Sequence, residues 1–226
     1  MNPRRAARSC PPFNRQPAII GPSRRGGSVF EGRTNMNTPI DISKKVLQTE
    51  RLVLRRWRRR DLSDFFEYAS VDGVGQPAGW PPHRNKRESL AVLKRFIAGK
   101  RTFAIEYGGK VIGSIGVERY DEQRFPELSG VSCRSLGFVI GRPYWGIGLM
   151  PEAVNAVLAF LFTEIGLDAV LCGHFLTNTR SARVQEKCGF RHYAFGSIQT
   201  PIGTHEDEIN IITREEWLLR RGVQQS

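Results

Sequence analysis

The segment GRPYWGIGLMPEA, residues 141–153, decides how the chain is read, because it joins a continuous apolar run to the start of an amphipathic helix. The run LGFVI (Leu136 to Ile140) reads as a central strand. The helix is expected from near Pro151 to about Ile165, with Val154, Val157, Leu158, Leu161 and Phe162 as its inward stripe. Between the two, Gly146 and Gly148 leave room for backbone to approach a ligand, and the helix start turns unpaired N–H groups and a positive dipole end to the same spot. This geometry suits a phosphate. The segment lacks the Lys-Ser/Thr pair of a nucleotide-triphosphate loop, and GxG without a third glycine is a poor dinucleotide fingerprint. Taken alone, GIG fits an ordinary tight turn equally well.

Elements alternate on both sides of this segment. Toward the N-terminus, Leu52 to Trp57 reads as a strand, and Asp61 is placed to cap a helix whose Leu62, Phe65, Phe66 and Ala69 share a face. The Gly/Pro-rich loop DGVGQPAGWPPH, residues 72 to 83, follows, and then a helix with Leu90, Leu93, Phe96 and Ile97 inward. Thr102 to Tyr107, Gly108-Gly109 and Val111 to Val117 read as a hairpin, with a polar excursion over 119 to 134 after it. Toward the C-terminus come a strand (Ala169 to Phe175), a short helix from about Thr179 to Cys188 stopped by Gly189, and strands near 190 to 198 and 206 to 212. The expected fold is mixed α/β, a sheet flanked by helices, in one unit over about 46 to 222.

Charge and cysteines narrow the function classes. The 226 residues carry 34 Lys+Arg against 22 Asp+Glu, a formal +12. Half of that excess lies in residues 1 to 35, where Arg4, Arg5, Arg8, Arg15, Arg24, Arg25 and Arg33 face one acid, Glu31. Residues 1 to 35 hold five prolines and four glycines and show no apolar period, and residues 1 to 45 are expected to be a disordered basic tail. An over-extended start, with Met36 opening MNTPIDISKKVLQTERL, accounts for that tail more simply than an RNA-binding arm does. The other +6 is ordinary for a domain, so no direct nucleic-acid partner is expected. No run of 18 apolar residues predicts a membrane span. Cys10, Cys133, Cys172 and Cys188 show no CxxC spacing, which points to reduced thiols in a cytoplasmic setting. With histidines scattered at 83, 174, 192 and 205, no metal is expected either.

LGFVI-GRPYWGIGLMPEA followed by TNTRSARVQEKCGF resembles the GCN5-related N-acetyltransferases (GNAT), in the branch of ribosomal-protein alanine acetyltransferases of the RimJ/RimL type. The resemblance runs from LQTERLVLRRW at residue 47, through the GWPPH loop and GKVIGSIGV, to REEW at 217. It implies the acyl-CoA acyltransferase fold, with a twisted, mostly antiparallel sheet, and acetyl-CoA as co-substrate. It also implies that the backbone of Phe138, Val139 and Ile140 pairs with the pantetheine arm. The N–H groups of Trp145, Gly146, Ile147, Gly148, Leu149 and Met150 would hold the pyrophosphate. Asn178 matches the family asparagine that bonds the pantetheine, and Ser181 lies near the thioester sulfur. Three positions depart from the family pattern. The basic or amide residue expected at 143 is Pro143, with Arg142 one residue earlier as a shifted phosphate contact. The family's tyrosine acid falls on Gln185, and a frequent glutamate falls on Ser135.

The resemblance implies direct transfer of an acetyl group to a primary amine, most readily a protein or peptide N-terminus. Ser181 is the candidate proton donor to the departing thiolate, and Glu118, after GSIGV, a candidate relay for the amine proton. A serine in a first helical turn is also an ordinary cap, and Glu118 an ordinary strand-end carboxylate. Trp80 and His83 are the candidate acceptor-side residues, against a plain reading as core and loop. A small amine, such as an antibiotic or polyamine, is the alternative acceptor. An RNA- or ribosome-associated binding module working through the tail is the alternative class. The protein is expected as a monomer or homodimer.

Overall fold

A computed structural model describes residues 37–222. Its strands are β1 (Leu47–Gln48), β2 (Leu52–Arg56), β3 (Thr102–Tyr107), β4 (Lys110–Glu118), β5 (Cys133–Ile140), β6 (Ala169–Phe175), β7 (Arg191–Thr200) and β8 (Gly203–Thr213). The helices are α1 (Leu62–Ala69) and α2 (Lys86–Gly99) between β2 and β3, α3 (Leu149–Ala159) before β6, α4 (Thr179–Cys188) before β7, and α5 (Arg214–Arg220) after β8. The eight strands form one sheet in the order β1-β2-β3-β4-β5-β6-β8-β7. Every neighbouring pair is antiparallel except β5 and β6. That parallel pair needs a crossover, and α3 supplies it.

The period-two alternation of strand side chains divides the core into two faces. On one face Ile112, Ile115, Leu136 and Cys172 meet Val154, Val157, Leu158 and Phe162 of the α3 segment, with Cys188 and Trp217 alongside. On the other, α1 and α2 bring Phe65, Tyr68 and Leu93 onto Ala104 and Val111. The same face further along is covered by the 119–134 excursion, whose Tyr120, Phe125 and Leu128 pack on Leu171, Tyr193 and Ile211. The β3–β4 turn holds both Gly108 (φ 55°) and Gly109 (φ 81°) in the left-handed region, as a two-residue hairpin requires.

Three local expectations change. Asp61 makes no side-chain cap on α1. Its buried carboxylate instead receives the fork of Arg55 (2.8 and 3.0 Å) and the N–H of Arg58 (2.7 Å), and the buried guanidinium is also held by Glu106 at 2.7 Å. The long helix is α-helical only to Ala159; Phe160–Ile165 widens into a π-helical turn ended by Gly166 (φ 76°). The packed domain also begins before residue 46. Ile42 is 0% exposed and Ile40 is buried beside it in the main core. Asn37 donates to the Tyr120 carbonyl at 3.0 Å and to Glu122 at 2.7 Å. The expectations for residues 1–36, including the alternative start at Met36, lie outside the described residues.

Candidate active site

The site begins where the parallel pair opens. β5 and β6 pair through Cys133–Leu136 and Ala169–Cys172; β5 then continues to Ile140 and β6 to Phe175 without pairing each other. A cavity of about 500 Å³ occupies the opening. Phe138, Val139 and Ile140 form one wall, and Trp145, Gly146, Gly148, Leu149 and Met150 another. Asn178 and Ser181 of α4 close a third side.

The loop between β5 and α3 takes its shape from left-handed backbone at Gly146 (φ 79°) and Gly148 (φ 84°). Gly148 is the N-cap of α3 and supplies no side-chain cap, while Pro151 has no N–H to offer. The N–H groups of Leu149 and Met150 therefore remain as first-turn donors beside the cavity. Trp145 is fixed by its indole N–H, which donates to the Ile140 carbonyl at 2.8 Å.

Cations complete this side. Arg180, Arg183 and Lys187, spaced at i, i+3 and i+7 on α4, line the cavity, and among the described residues no carboxylate does. The Arg180 guanidinium lies 4.0 Å from the Trp145 ring centroid. Backbone donors at a helix start, glycines that admit close approach and a cationic helix face fit a polyanionic, phosphate-bearing ligand. The spacing of basic residues in TRSARVQEK carries this signal in the sequence. Arg51 carried none that was local. Its Nε and N–H bond the two oxygens of Glu152 (2.7 and 3.0 Å), and its Nη1 donates to the Ile147 carbonyl at 3.0 Å, tying the glycine loop to the β1–β2 turn.

Other expected residues stand apart from the cavity. Arg142 and Ile147 are exposed and do not line it; the Arg142 guanidinium lies 5.9 Å from the Trp145 ring. Glu118 is 43% exposed at its side chain and paired with Arg101 at 3.0 Å. The fold does not bring it to the opening. Trp80 and His83 belong to the core under α1 and α2. The Trp80 indole covers Gly75 so closely that a Cβ there would clash with its ring. His83 packs edge-on against Phe65, and its Nδ1 is 2.8 Å from Ser89 Oγ. Burial lowers the His83 pKa below its usual value, with Glu88 opposing and Arg95 adding.

Residues of the 72–83 loop that do face the opening are Val74, Pro77 and Ala78. The Pro77 carbonyl accepts from Asn178 Nδ2 at 3.2 Å, and Asn178 Oδ1 accepts the Ser181 N–H at 3.1 Å. A second cavity of about 310 Å³ adjoins the first across Pro77, Asn178 and Arg180. It is lined further by Gln76, Phe175, Thr177 and His205, again with no carboxylate. Burial pushes the Cys133 and Cys188 thiols up to about 12, which removes them as nucleophiles. Among the described residues no cluster of three or more His, Cys, Asp or Glu could hold a metal, and no helix is long and apolar enough to cross a membrane.

The chain belongs to the GNAT acetyltransferases: a family model described as the acetyltransferase (GNAT) domain matches residues 51–191. It is similar to the uncharacterized N-acetyltransferase YoaA of Bacillus subtilis, 28% identical over 153 residues, covering 65% of this chain and 82% of the relative. Among solved structures it shares its fold with a GNAT acetyltransferase from Bacillus anthracis (TM-score 0.66, 22% identity, 75% of this chain and 99% of that one). A putative ribosomal-protein-serine acetyltransferase from Vibrio cholerae shares it too (0.64, 15%, 76% and 98%). So does a spermidine N-acetyltransferase from Vibrio cholerae in complex with CoA and spermine (0.61, 18%, 75% and 99%). The protein is therefore an acetyl-CoA-dependent N-acetyltransferase with a mixed α/β, mostly antiparallel sheet.

Proposed function

We propose that the enzyme acetylates the α-amino group of a protein or peptide N-terminus, with acetyl-CoA held in the β5–β6 opening. The observation that carries the choice of acceptor is that, among the described residues, no carboxylate lines either cavity, where Arg180, Arg183, Lys187 and His205 stand instead. A polyamine or aminoglycoside, with several positive charges, would find no partner there. A peptide N-terminus brings one amine and a chain of neutral amides.

Deprotonation arithmetic supports the same choice. At pH 7 an α-amine costs about 1 kcal/mol to neutralise, and a lysine roughly 5. With Glu118 paired to Arg101 away from the opening, no described residue of the cavity walls is a carboxylate base that would meet the larger cost. The second cavity, entered past Gln76 and Pro77, is the proposed approach for the acceptor, in place of Trp80 and His83.

Acetyl-CoA supplies the acetyl group as an activated thioester. The β6-facing edge of Phe138 to Ile140, left unpaired past Leu136, offers amide partners for the pantetheine arm, and an N–H of that edge is the proposed donor to the developing oxyanion. The N–H groups of Gly146, Gly148, Leu149 and Met150, with the α4 cations, take the phosphates, while the Trp145 N–H is already given to the Arg142 carbonyl at 3.3 Å. Asn178 Oδ1 already accepts one bond and keeps a second lone pair. Ser181 is the proposed hydrogen-bond donor to the leaving sulfur. The test is acetyl-CoA consumption with a free-N-terminus peptide, the same peptide N-blocked with an internal lysine, spermidine and an aminoglycoside. The free peptide is expected to give the highest kcat/KM; faster turnover of spermidine, the aminoglycoside or the blocked peptide overturns the reading.

A further inference from the structure

A chain of buried polar groups lies beneath the opening and ends at Ser181. Gln185 is 0% exposed. Its Nε2 lies 3.4 Å from the Gly173 carbonyl and 3.1 Å from Ser181 Oγ, and its Oε1 lies 2.9 Å from Asn210 Nδ2. A carbonyl can only accept, so the amide nitrogen must face Gly173. That choice turns Oε1 to Asn210 and makes Asn210 the donor. An amide N–H can only donate, so Ser181 Oγ receives its bond with a lone pair. The serine's own proton is then directed away from Gln185, and among the described residues none takes it. Ser181 meanwhile lines the large cavity, with its backbone N–H held by Asn178.

Space-filling does not explain this arrangement. A buried Gln–Asn pair is costlier to desolvate than an apolar pair of the same volume, and Asn210 Oδ1 is buried with no partner among the described residues. A free hydroxyl would rotate among three staggered wells. The bond from Gln185 disfavours those in which the O–H points down toward the amide.

We propose that Gln185 and Asn210 are positioning residues that aim the Ser181 hydroxyl proton into the opening, toward the sulfur of the leaving group. The inference rests on the reading of the opening as the acetyl-CoA site. In the step concerned, the amine nitrogen forms its bond to the acetyl carbon, the carbon–sulfur bond breaks, and the electron pair stays on sulfur. The Ser181 hydrogen bond stabilises that thiolate, and the proton given up by the amine reaches sulfur through solvent. Ser181 ends with the proton it began with.

The test compares kcat, the KM for acetyl-CoA and the Kd for CoA in the full chain carrying Ser181→Ala, Gln185→Met, and both. Ser181→Ala is expected to lower kcat about a hundredfold. Gln185→Met is expected to lower it about tenfold, with KM and Kd within about twofold of the parent. In the Ser181→Ala background Gln185→Met is expected to change nothing further, because its whole effect passes through the hydroxyl. Asn210→Ala, a milder change that frees Gln185 Oε1, is expected to show the same dependence on Ser181 and decides the matter if Gln185→Met does not fold. Normal kcat in Ser181→Ala removes the donor and the proposal together. A slow Ser181→Ala with a normal Gln185→Met, or additive losses, overturns the positioning role alone. Failure of the parent to bind CoA overturns the cofactor-site reading instead.

Discussion

Arg51 and Glu152 stand 101 residues apart in the chain and close on each other through Nε and Nη2 to Oε2, both at 2.7 Å, and the backbone N–H to Oε1 at 3.0 Å. Burial raises the Glu152 pKa, but bonds from Thr49 and Arg51 outweigh it and hold the carboxyl below its ordinary value, so the pair persists into mild acid. The same guanidinium bonds the Ile147 carbonyl between the two loop glycines. Arg51→Met should therefore loosen the loop more than the fold. We expect a KM for acetyl-CoA raised about tenfold, the loss of roughly one charge-assisted bond. The unfolding free energy should change by less than about 1 kcal/mol, as for a part-exposed pair. Steady-state kinetics beside a urea titration checks both.

Arg180 and Trp145 give a cofactor-side prediction. The guanidinium over the indole is preorganised beside the cavity, so Arg180→Ala should raise the KM for acetyl-CoA about tenfold with kcat within about threefold. The dependence of CoA binding on salt should weaken in the same variant. A calorimetric titration at two ionic strengths reads this directly.

Two truncations separate the tail from the packed domain. Deleting residues 1–35 should leave turnover and melting temperature unchanged, because the lining residues of both cavities lie between Val74 and His205. Deleting residues 1–45 removes the buried Ile40 and Ile42. It should cost about 3–6 kcal/mol of stability, the worth of two fully buried aliphatic side chains. Denaturant unfolding of the two shortened chains makes the comparison.

His83 gives a pH dependence of stability. Its folded pKa lies below the ordinary histidine value of 6.5, so between those two values the unfolded chain binds more protons than the folded one. Stability must then fall as pH drops from about 6.5 toward the lowered value. His83→Gln should flatten that slope without changing kcat, since the half-buried His83 ring packs on Phe65 and lines neither cavity. Urea midpoints measured from pH 7 to pH 5 in both proteins test it.

What the sequence disclosed follows from the range over which each interaction acts. The β3–β4 hairpin at Gly108-Gly109, the stop of α4 at Gly189 and the strand through Leu136 to Ile140 are written in neighbouring residues, and all appear where expected. Asp61 misled because the local capping pattern competes with an arginine on the preceding strand, and the buried guanidinium of Arg55 is the stronger partner. Trp80 and His83 looked like site residues because they sit in a Gly/Pro loop. Their aromatic rings instead complete the core over Phe65, an association no local pattern reveals. The Arg51–Glu152 clamp and the Asn210–Gln185–Ser181 chain join distant segments and become visible only with the fold.

The central claim, that acetyl-CoA is held at the glycine loop before α3, is tested most directly by CoA titration of the parent, Gly148→Leu and Gly166→Leu. Both glycines have left-handed backbone (φ 84° and 76°), so each variant carries a similar strain of about 1–2 kcal/mol. Only Gly148 lines the opening. The account predicts that Gly148→Leu loses CoA affinity by at least about a hundredfold while Gly166→Leu, matched in stability, binds like the parent. Parental affinity in Gly148→Leu, or an equal loss in both variants, would contradict it.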